Sequence, residues 1–120
     1  MAGREFGDDE RDQIRSRFDE AVNMTAKELE DWLRTRESRE VGWGKDDGGE
    51  SVGHESGRRI VAILRKKRAE LGDDDCAHMT KVAGYVGRHL AQGGPEEGVE
   101  ESRWRFSLKN WGHDPLKDRG

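Results

Sequence analysis

The chain has 120 residues, enough for one small domain, of which 40% are charged and 31% hydrophobic, and its formal net charge is -4. The single cysteine, Cys76, excludes an internal disulfide, and no apolar run reaches the roughly 20 residues of a membrane-spanning helix. The start of the chain carries mixed charge and no apolar stretch, so we expect a cytoplasmic protein.

Two helices are predicted before the first glycine-rich stretch. The first spans residues 9–22 and carries apolar side chains at helical spacing on one face: Ile14, Phe18, Ala21 and Val22. Thr25 followed by Glu28 forms a capping box, so a second helix begins there and is expected to run to about Ser38. The inner face of this second helix carries Leu29, Trp32 and Leu33.

The stretch 40–53, EVGWGKDDGGESVG, is rich in glycine and charge and is predicted to be a loop. It contains one aromatic residue, Trp43. Because tryptophan is usually buried, we expect Trp43 to close over the core as a plug, in preference to offering a stacking platform for a base.

A third helix carries the most concentrated charge of the chain. Six of the 22 basic residues lie in the segment 58–68, RRIVAILRKKR, which has no acid. The helix is expected to start at Ser51 or Ser56 as N-cap and to end at Leu71, with Gly72 as a left-handed C-cap.

The cations of this third helix fall into two sets. The side opposite the apolar stripe carries Arg58, Arg59, Arg65 and Lys66. Lys67 and Arg68 fall within or beside the stripe, so their stems are expected to lie along the core. A solvated helix face is the alternative interpretation of the whole run.

The fourth predicted helix begins after Asp73 as N-cap and ends at Gln92, with Gly93 beyond it. Its core stripe consists of Met79, Val82, Ala83, Val86 and Leu90. The opposite side carries Lys81, Tyr85 and Arg88. A ring between two cations suits contacts to phosphates and sugars, whereas the alternative is a half-buried tyrosine. Gly84 and Gly87 are expected to let another helix approach closely.

A fifth helix is predicted in the C-terminal stretch VEESRWRFSLKNWGHDPL, with Gly112 as its cap and Pro115 preventing its continuation. One face carries Trp104, Leu108 and Trp111. The other face carries Arg105, Phe106 and Lys109. This is a second place where cations flank an aromatic ring.

Together these elements predict an all-α fold, a single small domain of about five helices with the glycine-rich loop between helices two and three. The domain is expected to span residues 9–116, between flexible termini at 1–8 and 117–120. The expected anchors of its core are Trp32, Trp104 and Trp111.

No catalytic or metal-binding pattern is recognisable, so we expect a protein that is not an enzyme and has no cofactor. Three pairs combine residue types used in catalysis: His54 with Glu55, Cys76 with His78, and His113 with Asp114. None has the spacing of a zinc site, a P-loop or a nucleophile elbow. The segment from His113 to Pro115 is instead expected to form a turn in which the Asp114 carboxylate accepts hydrogen bonds from nearby amides.

The basic helix faces favour a DNA-binding protein that contacts the phosphate backbone with little sequence specificity. The expected contact residues are Arg58, Arg59, Arg65, Lys66, Lys81, Tyr85, Arg88, Arg105 and Lys109. Such binding weakens steeply with salt, and it would place a bacterial protein at the nucleoid. The choice between DNA and RNA and the oligomeric state stay open.

The alternative is a protein-interaction adaptor, in which the basic helix docks against an acidic partner or against the chain's own acidic front half. Residues 1–50 hold 15 acids and 9 bases, whereas residues 51–120 hold 11 acids and 13 bases. The overall negative charge favours this alternative, because nucleoid proteins are usually basic.

The chain resembles the uncharacterised family numbered 3140 among domains of unknown function in four stretches: NMTAKELEDWL, GESVGHESGRRIVAILRKKRAEL, AHMTKVAGYVGRHLAQ and SRWRFSLKNWGHDP. The likeness covers about residues 18–117, and the strings GHESGRRI and SLKNWGHDP are its most specific part. The resemblance implies a small helical protein of bacterial or fungal type, and some members are labelled DNA-binding.

Residues 24–68 are also similar, more loosely, to the helix-extended loop-helix of SAP-type DNA-binding modules. In those modules the loop and the start of the second helix meet DNA, which implies that Arg58 and Arg59 lie at a DNA-facing corner. The intervening loop, 39–53, is longer than that pattern usually has.

Overall fold

Six α-helices occupy the parts of the chain that the computed structural model describes, residues 7–41 and 51–117. They are α1 (Asp8–Ala21), α2 (Ala26–Leu33), α3 (Arg36–Glu40), α4 (Val52–Leu64), α5 (Asp73–Gln92) and α6 (Arg103–Asn110). Two 3-10 turns, Arg68–Glu70 and Val99–Glu101, precede α5 and α6. These residues contain no strand and form one domain, which confirms the all-α prediction.

Several predictions fall on other parts of the chain. Trp43 and most of the predicted glycine-rich loop lie outside the described residues, as do residues 1–6 and 118–120 of the two predicted termini. What the sequence predicts for these residues therefore stays a prediction.

The first two helix starts follow the local sequence signals, but the second helix ends earlier than predicted. At the start of α2, the Thr25 amide donates to the Glu28 carboxylate at 2.8 Å and the Glu28 amide donates to the Thr25 hydroxyl at 3.1 Å, which confirms the capping box. The helix stops at Leu33 because Thr35 is itself an N-cap, whose hydroxyl accepts from the Ser38 amide at 3.1 Å. A short separate helix, α3, results.

The third predicted helix also ends early. Ser51 is its N-cap, as one of the two predicted options, but α4 stops at Leu64 and not at Leu71. Gly72 is not a C-cap: its φ of -94° is ordinary extended backbone, and it precedes α5 as the N-cap in place of Asp73. The chain between α4 and α5 forms a turn closed by the Lys67 amide, which donates to the Glu70 carboxylate at 2.7 Å.

As a consequence, the predicted packing of two cations is wrong. Lys67 and Arg68 are exposed on the connecting turn, and their stems do not lie along the core. The Arg68 guanidinium forms an ion pair with Asp12 of α1. Residues beyond the end of a helix do not follow that helix's periodicity. The apolar stripe of α4 therefore could not predict where Lys67 and Arg68 lie.

The core forms where α1 packs against α5, α2 packs against α4, and α6 contacts α2, α3, α4 and α5. Its apolar side chains are largely those of the predicted stripes: Ile14, Phe18, Val22, Leu29, Trp32, Leu33, Ile60, Val61, Ile63, Met79, Val82, Val86, Leu108 and Trp111. Leu90 is an exception, with 37% of its surface exposed.

Helices α1 and α5 both begin at the end of the domain where Arg11 pairs with Asp73. Because α1 has 14 residues and α5 has 20, the last turns of α5 extend beyond α1.

A buried amide side chain connects three of the helices. Asn110, at the end of α6, is 1% exposed, and its side-chain oxygen accepts from the Trp32 indole N–H at 2.8 Å and from the Ser38 hydroxyl at 2.5 Å. Its side-chain nitrogen donates to the Ser38 carbonyl at 3.1 Å. Buried amides lose free energy when they lack partners, so this set of bonds holds α2, α3 and α6 in one arrangement.

Helix α4 approaches the same residue through a glycine. A Cβ atom added at Gly57 would lie 2.7 Å from the Asn110 carbonyl oxygen and 2.6 Å from a methyl group of Leu33. Only a glycine at this position lets α4 come so close to α2 and to the end of α6.

Replacing this glycine tests the contact. We expect Gly57→Ala to lower the free energy of unfolding by about 1 to 3 kcal/mol, because the new methyl group meets a backbone carbonyl that has no freedom to rotate away. Gly87→Ala is the matched control, since a Cβ atom there meets nothing within 4 Å, and we expect it to raise the free energy by up to about 1 kcal/mol. Urea denaturation at one low protein concentration measures both changes, and similar values for the two variants would contradict the close contact.

Candidate nucleic-acid interface

The structure brings together one cation from α4 and one from α5. Arg59 and Lys81 line the same shallow depression, together with Asp74, Ala77 and His78. Both cations are exposed, and neither belongs to an ion pair within residues 7–41 and 51–117. Both charges act on the buried His78 ring beside them, since each contributes to lowering the pKa of His78. The lining of the depression, between two helices, therefore carries two cations and one carboxylate, that of Asp74.

Two further predicted cations lie on the same helices. Arg58 is exposed on α4, next to Arg59 in sequence. Arg88 is exposed on α5, seven positions after Lys81, so it lies two turns further along nearly the same face. Its guanidinium extends along the helix, since a Cβ atom at Gly84 would be 3.1 Å from an Arg88 nitrogen.

Arg65 and Lys66 are exposed as predicted, but both are engaged by carboxylates of this chain. Arg65 donates to the two oxygens of Glu30, on α2, at 3.0 and 3.3 Å. This hydrogen bond, with the charge of Arg65, lowers the pKa of Glu30. Lys66 donates to Asp75, in the first turn of α5, at 2.8 Å. A phosphate would have to compete with these carboxylates. The exposed pair of Arg65 and Glu30 exchanges at little cost, whereas the Asp75 side chain is only 13% exposed.

The prediction that Tyr85 stands outward between Lys81 and Arg88 is wrong, and the alternative of a half-buried tyrosine is correct. Its ring stacks on Trp111 with centroids 4.2 Å apart and an interplanar angle of 14°. On its other side lies His89, with centroids 5.3 Å apart. Burial raises the pKa of Tyr85. The ring faces inward because α6 covers this side of α5, which the pattern of α5 alone does not reveal.

The predicted outward face of α6 is also packed. Arg105 donates to both oxygens of Asp114, each at 3.0 Å, and its side chain is only 20% exposed. The Lys109 ammonium lies 4.1 Å from the centroid of the Trp32 ring, and burial lowers the pKa of Lys109. Phe106 packs on the same indole, with centroids 5.3 Å apart. This correction removes Arg105 and Lys109 from the free basic surface, because both cations are used to hold α6 in place.

The turn after α6 is as predicted. The Asp114 carboxylate accepts from the Leu116 amide at 3.0 Å, and the Asp114 amide donates to the Asn23 side chain at 2.8 Å. His113 is buried, and its ring N–H donates to the Ala21 carbonyl at 2.7 Å, at the end of α1. Residues that looked like a catalytic pair therefore attach the C-terminal turn to the end of α1.

A buried Ser–His pair beneath the depression was missed by the sequence analysis. Ser56 and His78 are 3% and 7% exposed, and the hydroxyl lies 2.9 Å from the ring Nε2. Burial, and then the charge of Arg59, lowers the pKa of His78 to about 4. A histidine with a pKa this low is a weak base, and the buried hydrogen bond to Ser56 joins α4 to α5. The signal that could have revealed the pair was the position of His78 between Cys76 and Met79, on the buried side of α5.

The remaining candidate groups are Cys76 and the side chains that could bind a metal ion. Burial raises the pKa of the Cys76 thiol, which opposes thiolate formation. Among the residues described, no three or more histidine, cysteine or acidic side chains are grouped so that they could hold a metal ion. Nor does that part of the chain contain a helix that combines the length and the apolar character needed to cross a membrane.

The fold and the depression thus define a small all-α protein with a basic site between two helices. The comparison with protein families identifies it further: the model described as protein of unknown function (DUF3140) matches residues 17–109, so the chain belongs to that family. This confirms the family resemblance, while the similarity to SAP-type modules stays a prediction. No curated protein and no solved structure matched the chain.

The buried His78 predicts a pH dependence of stability. Its pKa of about 4 in the fold lies below the ordinary value of 6.5, so the unfolded chain binds a proton that the folded chain rejects between these pH values. Stability is therefore complete above about pH 6.5 and falls by up to roughly 3 kcal/mol as the pH approaches 4.

His78→Gln tests this expectation, because glutamine can still bond to Ser56 but does not titrate. Denaturation midpoints of both proteins between pH 4 and pH 7 should show a smaller loss in the variant. Parallel pH profiles for the two proteins would show that His78 does not carry the effect.

Proposed function

We propose that this chain is a non-enzymatic DNA-binding protein that contacts the phosphate backbone with little sequence specificity, as a protein of the bacterial nucleoid. The observation that supports this most directly is the meeting of Arg59 and Lys81 from different helices at one depression, without ion pairs among the described residues. Both helices belong to the packed core, so the backbone positions that carry the two charges are held at a set separation. Such cations can neutralise phosphates without ordering the backbone, and only side-chain entropy is lost.

The spacing along α5 supports the same proposal. Lys81 and Arg88 are separated by seven helical steps of about 1.5 Å, which gives roughly 10 Å along the axis. This equals about three base-pair steps of duplex DNA at 3.4 Å each. The two side chains can therefore reach different phosphates, with Arg59 on the neighbouring helix.

The proposed contact set is smaller than the sequence suggests. Tyr85, Arg105 and Lys109 pack inside the fold, and Arg65 and Lys66 can take part only by exchanging their own carboxylate partners. Arg59, Lys81 and Arg88 can then neutralise two or three phosphates, which predicts a slope between about -2 and -3 for the logarithm of the binding constant against the logarithm of salt concentration.

Fluorescence anisotropy with a labelled mixed-sequence duplex at several salt concentrations tests the proposal. We expect Arg59→Glu with Lys81→Glu to weaken binding at low salt at least about tenfold and to reduce the salt slope by about 2, because two phosphate contacts are lost.

The matched control is Lys27→Glu with Arg36→Glu, which changes the net charge equally on α2 and α3, where both side chains are at least 80% exposed. This control should weaken binding much less, since screening limits the reach of a distant charge. Equal losses in both double variants, or no binding by the original chain at low salt, would contradict the proposal.

An acidic protein partner is the second candidate, and one observation favours it. The basic segment already binds carboxylates of the front half of this chain, through Arg65 with Glu30 and Arg68 with Asp12. A cellular pull-down with the Arg59 and Lys81 double variant distinguishes the two candidates. Loss of an acidic protein partner with unchanged DNA retention would favour the adaptor.

A further inference from the structure

Three cations at the end of α4 and in the turn after it are paired with carboxylates of the chain itself. Arg65, Lys66 and Arg68 each face an acid from a different helix, and these acids are Glu30 of α2, Asp75 of α5 and Asp12 of α1. Arg59, earlier on α4, has no ion pair with another described residue. The basic segment therefore contains both a free cation and cations that the chain's own acids occupy.

The pair of Arg65 and Glu30 has the geometry with which an arginine binds a phosphate. The guanidinium donates to both oxygens of Glu30, at 3.0 and 3.3 Å. Arginine forms the same two parallel bonds with carboxylates and with phosphates. The two side chains are 51% and 37% exposed, so solvent reaches them and they can separate. Glu30 thus occupies the donors that a phosphate would use.

Glu30 has a second cation within reach. Arg34, at the end of α2 and one turn after Glu30, has a guanidinium nitrogen 3.8 Å from a Glu30 oxygen. When Arg65 leaves, the Glu30 carboxylate can keep this partner on its own helix. The exchange therefore leaves no charge alone, and exposed pairs of this kind contribute little to stability.

The pair of Lys66 and Asp75 is held more firmly. The Asp75 carboxylate accepts from the Lys66 ammonium at 2.8 Å and from the Gly72 amide at 3.0 Å, and only 13% of this side chain is exposed. Asp75 follows Asp74, which lines the depression. Lys66 thus lies beside the proposed DNA surface and stays bound to its carboxylate, whereas its neighbour Arg65 can be released.

Arg65 can reach the same duplex as Arg59. Both arginines are on the exposed side of α4, with the exposed Ala62 between them. Six helical steps of about 1.5 Å separate them, which gives roughly 9 Å along the axis. This is close to about three base-pair steps of duplex DNA at 3.4 Å each. A duplex that contacts Arg59 therefore has further phosphates within reach of Arg65.

We propose that the pair of Arg65 and Glu30 is an autoinhibitory contact that limits the affinity of the chain for DNA. The inference rests on the proposed function, because it concerns the regulation of the same surface. In the closed arrangement Glu30 holds Arg65. In the open arrangement Arg65 contacts a phosphate of the bound duplex and Glu30 turns to Arg34. Loss of the Glu30 charge shifts the chain towards the open arrangement.

Fluorescence anisotropy of the full chain with the labelled duplex at several salt concentrations tests this contact. We expect Glu30→Gln to raise the affinity about three- to tenfold at low salt and to steepen the salt slope by about 1, because one more phosphate contact forms. Asp31→Asn is the matched control, since it removes the same charge from the next residue of α2, whose partner is Lys27. It should change the affinity less than about twofold.

Arg65→Gln separates the release of this cation from a general effect of charge. In the original chain it should change the affinity less than about twofold, because Glu30 already occupies Arg65. In the Glu30→Gln background it should remove the whole gain, because Arg65 is then the cation that contacts the phosphate. Circular dichroism of each variant checks that the helices are intact. An equal loss in the two backgrounds, or equal gains for Glu30→Gln and Asp31→Asn, would overturn the proposal.

Failure of the autoinhibition and failure of the proposed function give different results. If the original chain binds DNA with the expected salt slope and Glu30→Gln has no effect, the proposed function stands and the autoinhibition is wrong. If neither the original chain nor Glu30→Gln binds the duplex at low salt, both are wrong.

Discussion

The buried side chain of Asn110 is the constraint on which the arrangement of the helices depends. Its side-chain amide is hydrogen-bonded to the Trp32 indole N–H and to the hydroxyl and carbonyl groups of Ser38. These bonds fix the position of the end of α6 relative to α2 and α3. The backbone carbonyl of Asn110 lies against α4, which can approach so closely only because residue 57 is glycine. An apolar residue of similar size could fill the space, but it would not select one arrangement among several, and it would leave the indole without a partner.

The position of α6 decides which residues of α5 face outward. Trp111, the residue after Asn110, lies against Tyr85, and the rings of His89 and Trp104 continue the stack with interplanar angles of 16°. The aromatic side of α5 is therefore used for packing. What remains on the outward side of α5 is charge without rings, which suits contacts to a phosphate backbone better than stacking on bases. The proposed lack of sequence specificity follows from this division.

Local signals in the sequence predicted the starts of α2 and α4 and most of the apolar stripes, because a capping residue or a stripe depends on a few neighbouring positions. Thr25 and Ser51 are caps for this reason. The orientation of Tyr85 and Lys109 could not be predicted in the same way, since each depends on a ring from another helix. The Ser56–His78 pair was not predicted for the same reason, since its two residues lie on different helices. The depression beside Arg59 likewise required knowledge of how α4 and α5 pack, although its cations were all named.

The strings most specific to the family describe packing more than a binding site. In GHESGRRI, Gly57 permits the close approach of α4, and Ser56 bonds to the buried histidine of α5. In SLKNWGHDP, the polar residues tie α6 to the ends of other helices. In this chain the two strings are thus explained by packing, and they name no ligand. Arg58 and Arg59, near the end of the first string, are exposed, and packing does not account for Arg59, so it is in that part of the string that a shared function would have to be found.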